Sequence, residues 1–340
     1  MKVIKDILRF GKKGCVLTIG NFDGVHIGHQ KILTAAKQAA VARKADLVVL
    51  TFQPHPLEII RPDKAPAALT PPELKEHLIA ELGADCLCVL KSTAELLTLS
   101  PTDFVERFLV NGIRPSVVVE GDDFNFGAGR DGNIHTLQKL GQEKDFEVRI
   151  IDSQKAKISD GPRFIGVEVS STMIRSMLAQ GNVADAAIEL GRPYRLIGKI
   201  VPGRGKGRQL GFPTLNMEKP NQLIPAEGVY AGFVGIADSL KKVCATEAKK
   251  EAAFSIGRAV TYPDKSGLLI EAHLLSENPG DLSGKWLAMD FVQFIRSQQK
   301  FESEAELKKQ IAKDCETTKK ILYNFAKGSY GNQQFFSKSG

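Results

Sequence analysis

The sequence predicts an α/β protein of two unlike halves: a parallel sheet with helices on both faces, then a small antiparallel barrel closed by a long helix. Three observations carry this expectation. From Cys15 to about Gln180, β-rich runs alternate with helical patterns; after GNVADAAIELGRPY, short β-like runs follow one another across Gly/Pro/Asn-rich turns; and near the end comes an extended amphipathic pattern. With 340 residues, 43% hydrophobic and 25% charged, the chain has material for two ordinary cores.

In the first half the strands are read in CVLTIG, DLVVLTF, DCLCVL, SVVVEG and EVRIID, separated by segments such as HQKILTAAKQAAVARK and PPELKEHLIAEL. Ligands of such sheets collect at the carboxyl ends of the strands, and GNFDGVHIGH stands at one of them. The second half offers RLIGKIV, GVYAGFVGIA, LLIEAHLL and WLAMDFVQFI as barrel strands, then SEAELKKQIAKDCETTKKILYNFA as the closing helix. The tail GSYGNQQFFSKSG is expected to fray. The expected organisation is a domain over 1–190, a second over 191–328, and a disordered tail over 329–340. DSLKKVCATEAKKEAA reads as a solvated loop between strands, not as a basic nucleic-acid patch.

Composition narrows the classes. MKVIKDILRF lacks a secretory pattern, and no apolar run approaches the roughly 20 residues that span a bilayer. Five cysteines without CxxC spacing argue against a disulfide framework or zinc cluster and for a reduced cytoplasm; Cys86 and Cys88 read as small buried hydrophobes. The net charge of +7 suits nucleic acid or small phosphorylated ligands equally.

The motifs decide between those. His26 and His29 are three apart at a helix start, where free N–H groups and the helix dipole favour an anion; Gly24 and Gly28 permit close approach. A zinc site would need a third ligand at characteristic spacing, and none stands there. Ser170, Ser171 and Thr172 open another predicted helix with Arg175 one turn on, more than a structural cap requires. In the second half PGRGKGRQLGFPTLN places Gly203, Gly205 and Gly207 among Arg204, Lys206 and Arg208, a loop able to cradle phosphate without being a Walker A sequence. Thr214 and Asn216 alternate by two, so in an extended chain their oxygens share a side and suit Mg²⁺ beside phosphate. Glu271 is a carboxylate inside the apolar run LLIEAHLL. One decoy, GAGRDG, satisfies GxGxxG with Asp152 about twenty residues on, and is the remote case for a dinucleotide-binding oxidoreductase; DDFNF separates it from the preceding strand, which the fingerprint forbids.

HxGH and SSTxxR together resemble the paired signatures of the nucleotidylyltransferase superfamily. TFQPHP and VVVEGDDFNFGAGRDGNIHTL are similar to segments peculiar to bacterial FAD synthetases, and PTLN with the ExH of LLIEAHLL resembles riboflavin kinases. In this order they resemble the bifunctional bacterial riboflavin kinase/FAD synthetase family. The resemblance implies a Rossmann-like nucleotidylyltransferase domain and a riboflavin kinase barrel using riboflavin, FMN and ATP with Mg²⁺, and neither nucleic acid nor membrane. It assigns ATP contacts to Gly20, Asn21, Phe22, Asp23, Gly28, Asp123, Ser170, Ser171, Thr172 and the three loop glycines. Phosphate stabilisation falls to His26, His29 and Arg175, flavin contacts to Pro54 and Pro56, the metal to Thr214 and Asn216, and the general base to Glu271.

The chain also departs from the kinase pattern. It has Ser255-Ile-Gly and Val260-Thr261 where NIG and PT are usual, then Ser276-Glu277 and Leu282-Ser283-Gly284 where DF and LYG are usual. An FAD synthetase with an impaired kinase half is therefore the alternative reading. A flavin-binding regulator or a nucleic-acid protein would need neither HxGH nor SSTxxR.

Overall fold

The computed structural model describes residues 1–5, 7, 13–152, 169–203, 205–258, 267–276 and 280–328. Arg204, Val260, Thr261, Glu277 and the tail 329–340 lie outside the described residues. The chain forms two compact units, one of Met1–Pro66 with Lys75–Ser170, the other of Ala67–Leu74 with everything from Ser171 onward.

The first unit is built on β1 (Lys2–Ile4), β2 (Val16–Ile19), β3 (Leu47–Gln53), β4 (Cys86–Lys91) and β5 (Val117–Gly121). The two-residue strands β6 (Asn125–Phe126) and β7 (Gly132–Asn133) pair with each other, and β8 (Glu147–Ile151) completes the main sheet. That sheet is parallel, in the order β1-β4-β3-β2-β5-β8. Its apolar runs alternate between two cores: Leu17, Val48 and Val118 face one, Val16, Val49 and Val119 the other. A sheet covered on both sides needs continuous rather than alternating hydrophobicity, which is why these runs stand out in the sequence. The short β1 does not, because only three residues pair along β4. Cys86 and Cys88 are buried in one core, as their spacing predicts. GAGRDG forms the β6–β7 turn, with a 3₁₀ turn over Ala128–Arg130, and so is no strand-to-helix phosphate loop.

The second unit is a closed barrel of β9 (Tyr194–Val201), β10 (Leu215–Met217), β11 (Gly228–Ala237), β12 (Lys250–Gly257), β13 (Leu269–Leu274) and β14 (Trp286–Arg296). All its pairings are antiparallel. Tyr230 and Phe254 pack edge-on against Phe291 at centroid distances of 5.2 and 5.0 Å, filling the interior. The segment expected to be a solvated loop, Asp238–Ala253, instead contains the helix Leu240–Ala245 and the start of β12. Ser239 caps that helix while Val243 and Cys244 are buried, so the lysines mask an amphipathic turn. The closing helix Glu304–Ala326 lays Ile321, Leu322 and Phe325 on Ala231 and Val292. Its Asp314 accepts a bidentate pair of bonds from Arg296.

Two further pieces belong to this unit. Helix Val183–Leu190 packs on β14 and β9, with helix Ser171–Ala179 beside it. The strap Ala67–Leu74 is held by Leu223 N–H donating to Ala68 O at 2.8 Å and by buried Gln222, whose Nε2 donates to Leu69 O at 2.9 Å. No helix among the described residues is long and apolar enough to cross a membrane.

Candidate active sites

In the first unit the chain leaves β2 at Ile19 and turns through Gly20–His26 into helix Ile27–Ala42. Phe22 and Val25 adopt left-handed backbone with φ of 48° and 43°. Such conformations cost about 1–3 kcal/mol each for non-glycine residues, most for a β-branched one. Burial of both side chains and a 2.8 Å bond from Gln30 Nε2 to Val25 O offset this.

The turn delivers His26 to the helix N-cap, where its Nδ1 accepts the His29 N–H at 3.4 Å. A neutral His26 then carries its proton on Nε2, as a donor. The two imidazoles stack at 3.6 Å between centroids and 20° between planes. Gly28 favours this, because a Cβ there would come within 3.2 Å of the His26 ring and press on it. Burial first, then the charges of His26 and Lys75, holds the His29 pKa well below the usual histidine range. His29 Nδ1 and Asn21 Oδ1 are buried without a protein partner, polar atoms that a bound ligand would satisfy.

The surrounding elements converge on the same loop. Lys75 Nζ donates to Asn21 O at 2.7 Å, and buried Asp23 offsets part of the burial that lowers the lysine's pKa. Asn21 Nδ2 lies 3.3 Å from His55 Nε2, tying the loop to the PHP turn. There Pro54 O accepts from Ser92 Oγ at 2.6 Å, and Pro56 opens helix Pro56–Ile60, capped by His55. Leu57, Ile59 and Ile60 on that helix are exposed. At the end of β5, Asp123 folds over Gly121, where a Cβ would meet its Oδ1 at 2.7 Å. Glu120 accepts from Ile19 N–H and, at 3.4 Å, from the Thr18 hydroxyl. Burial pushes its carboxyl well above the ordinary range.

Ser170 is exposed at the end of the first unit, whereas Ser171, Thr172 and Arg175 lie on helix Ser171–Ala179 of the second. Arg175 Nε donates to Ala67 O of the strap at 2.9 Å.

In the barrel, β10 carries Asn216 opposite Glu271 of β13, and Glu271 in turn stands opposite Ser255 of β12. The Thr214 hydroxyl donates to Glu271 Oε1 at 3.3 Å. The glycine-rich loop wraps this cluster tightly: a Cβ at Gly203 would collide with the Asn216 amide, and one at Gly207 with Phe212 O. Gly205 has φ 73° and starts the short helix Lys206–Gln209. His273 Nδ1 donates to Pro213 O at 2.8 Å while its ring meets Phe212 edge-on, steadying the chain just before Thr214. Of the departures from the kinase pattern, Ser255 Oγ accepts from Gln298 Nε2 at 3.1 Å, Ser276 is exposed, and Ser283 N–H donates to Asp281 Oδ1 at 3.0 Å.

The structure thus brings Gly20–Asp23, His26, Gly28, His29 and the PHP turn together in one unit, and Gly203, Gly207, Thr214, Asn216 and Glu271 together in the other. Lys75, His55 and Glu120 are missed by sequence reasoning. Glu120 leaves a signal, an acid in the apolar run SVVVEG; Lys75 leaves none, because its contact is 54 residues away.

Known families match both halves of the chain. A family model of FAD synthetases matches residues 10–161, and one of riboflavin kinases matches residues 190–322. The bifunctional riboflavin kinase/FMN adenylyltransferase of Escherichia coli K12 is 36% identical over 328 residues, 95% of this chain and 98% of that protein. Its Haemophilus influenzae counterpart is 34% identical over 309 residues, 90% of this chain and 94% of that one. A crystal structure described as a macrolide-efflux protein from Streptococcus pneumoniae shares the architecture at TM-score 0.78 and 27% identity, covering 93% of this chain and 98% of that one. With two matched domains in the same order and near-complete coverage of its relatives, the chain belongs to the family of bifunctional riboflavin kinase/FMN adenylyltransferases.

Proposed function

We propose that the barrel unit phosphorylates riboflavin to FMN with ATP, and that the HxGH site then joins FMN to the adenylyl group of a second ATP, giving FAD and pyrophosphate. The observation that carries the reading is that each unit holds its own phosphate-directed cluster, the stacked His26–His29 pair in one and Thr214–Glu271 with Asn216 in the other.

In the first step Glu271 takes the proton of the ribityl 5′-hydroxyl as its oxygen bonds to the γ-phosphorus; the bond to ADP breaks and ADP leaves with the electron pair. Thr214 holds Glu271 by its hydroxyl, and the glycine loop closes over the phosphates. Thr214 and Asn216 offer neutral hard oxygens that fit Mg²⁺. Among the described residues no group of three or more His, Cys, Asp or Glu could hold a metal, so the ion would share waters and ATP oxygens. Bound there, Mg²⁺ would offset phosphate charge.

In the second step a phosphate oxygen of FMN bonds to the α-phosphorus while the bond to pyrophosphate breaks. The nucleophile is already ionised, so alignment and charge stabilisation by His26 and His29 do the catalysis. The exposed apolar helix after the PHP turn suits the flavin ring. ATP as co-substrate fits a cytoplasmic setting.

Incubation with ATP, Mg²⁺ and either riboflavin or FMN, followed by chromatographic separation of the flavins, tests this. His29→Ala should abolish FAD while sparing FMN; equal loss of both in a folded variant refutes the division. FAD from FMN with nothing from riboflavin would leave the alternative, an FAD synthetase with a failed kinase half.

A further inference from the structure

We propose that Lys75 is a catalytic residue of the adenylyl-transfer site, its ammonium binding the α-phosphate of the adenylyl group that passes from ATP to FMN. This rests on the adenylyl-transfer reading of the HxGH site.

Lys75 does nothing for its own helix. It lies in the first turn of Pro72–Glu81, where the helix dipole already presents positive charge and a cation is disfavoured. One turn on, its neighbours Leu78 and Ile79 are apolar, so no acid of its own helix pairs with it there. The side chain instead reaches across to the GNFD loop, where its 2.7 Å bond goes to a backbone carbonyl, Asn21 O, which also accepts the Thr51 hydroxyl at 3.3 Å. The charged groups acting on it or on its neighbour are Asp23 in the loop and His26 and His29 at the helix start.

A partly desolvated ammonium held by a neutral acceptor is poised for exchange. The carbonyl offers the ammonium only a partial negative charge and a phosphate oxygen a full one, so a phosphate oxygen displaces Asn21 O at a gain. Lys75 is also close enough to depress the pKa of His29, the residue expected to grip the same triphosphate. As the FMN oxygen bonds to the α-phosphorus and pyrophosphate leaves with its electron pair, two anions are forced together. Lys75 keeps its protons throughout and offsets that charge.

The test measures FMN-to-FAD turnover in Lys75→Met, Lys75→Arg and His29→Ala, with riboflavin-to-FMN turnover of each sample alongside. Lys75→Met should lower kcat for FAD by about 10²–10³ with a much smaller change in KM for ATP. FMN formation should be untouched. Lys75→Arg should retain more activity, and the alkaline fall in kcat of the unaltered protein should vanish in it, because arginine does not deprotonate. The role is overturned if Lys75→Met stays within about fivefold of the unaltered kcat, if the alkaline limb persists in Lys75→Arg, or if both variants melt early and lose both activities. His29→Ala separates the failures: if it abolishes FAD while Lys75→Met does not, only the lysine's role falls; if it too leaves FAD formation intact, the adenylyl-transfer reading falls with it.

Discussion

Replacing Glu271 by glutamine separates the chemistry of the barrel site from its architecture. Glutamine keeps the shape of the side chain and an oxygen able to accept the Thr214 hydroxyl, now 3.3 Å from Glu271 Oε1. At that length the bond is already weak, and glutamine keeps its acceptor, so thermal unfolding should barely move. The proton acceptor of the proposed mechanism, however, is gone. General-base catalysis contributes about 10²–10⁴-fold, which corresponds to about 2.7–5.4 kcal/mol of barrier. Initial rates of FMN formation at saturating riboflavin and Mg–ATP, followed by chromatography, should fall by that factor. FMN-to-FAD turnover in the same sample should be unchanged. A Glu271→Gln protein that makes FMN within about fivefold of the unaltered rate would refute the base assignment.

Two further outcomes follow from the ionisable groups. Asp314→Ala would leave the Arg296 guanidinium, only 16% exposed, without the carboxylate that now accepts its two donors. The cost should be about 3–5 kcal/mol in urea unfolding of the barrel unit, with much of it recovered by the apolar double replacement Arg296→Met with Asp314→Leu. His29, whose folded pKa lies below the ordinary histidine value, stays neutral in the folded protein where the unfolded chain binds a proton. Without nucleotide, the stability of the first unit should therefore drop as pH falls below about 6.5. ATP should reverse this by raising the His29 pKa, seen as proton uptake on binding in buffers of different ionisation enthalpy.

Much of this architecture is legible in the sequence because it obeys strong local rules. The parallel strands announce themselves as unbroken apolar runs, the HxGH loop by spacing at a strand end, and the barrel site by PTLN and a lone acid in LLIEAHLL. What escapes is set by tertiary contact. Strand β12 hides because its first residues, Lys250 and Glu251, look like a solvated charge run until the pairing with β11 and β13 is known. Lys75 reads as one more surface lysine of an amphipathic helix, since nothing local marks its reach to Asn21 O. Glu120 could be suspected from its apolar neighbours, but its partner, the Ile19 N–H, lies on another strand.

The strap Ala67–Leu74 belongs to the barrel unit although the chain on either side of it belongs to the other. The chain passes from one unit to the other at 66/67, returns at 74/75, and leaves finally at 170/171. A single proteolytic nick between residues 152 and 171 would therefore not release two complete enzymes. The fragment carrying the barrel would still grip, through Leu223, Gln222 and Arg175, a segment covalently owned by the other. By the same topology, no single cut in the gene yields a barrel with its full complement of contacts. A kinase made alone must either do without the strap or carry a substitute for it.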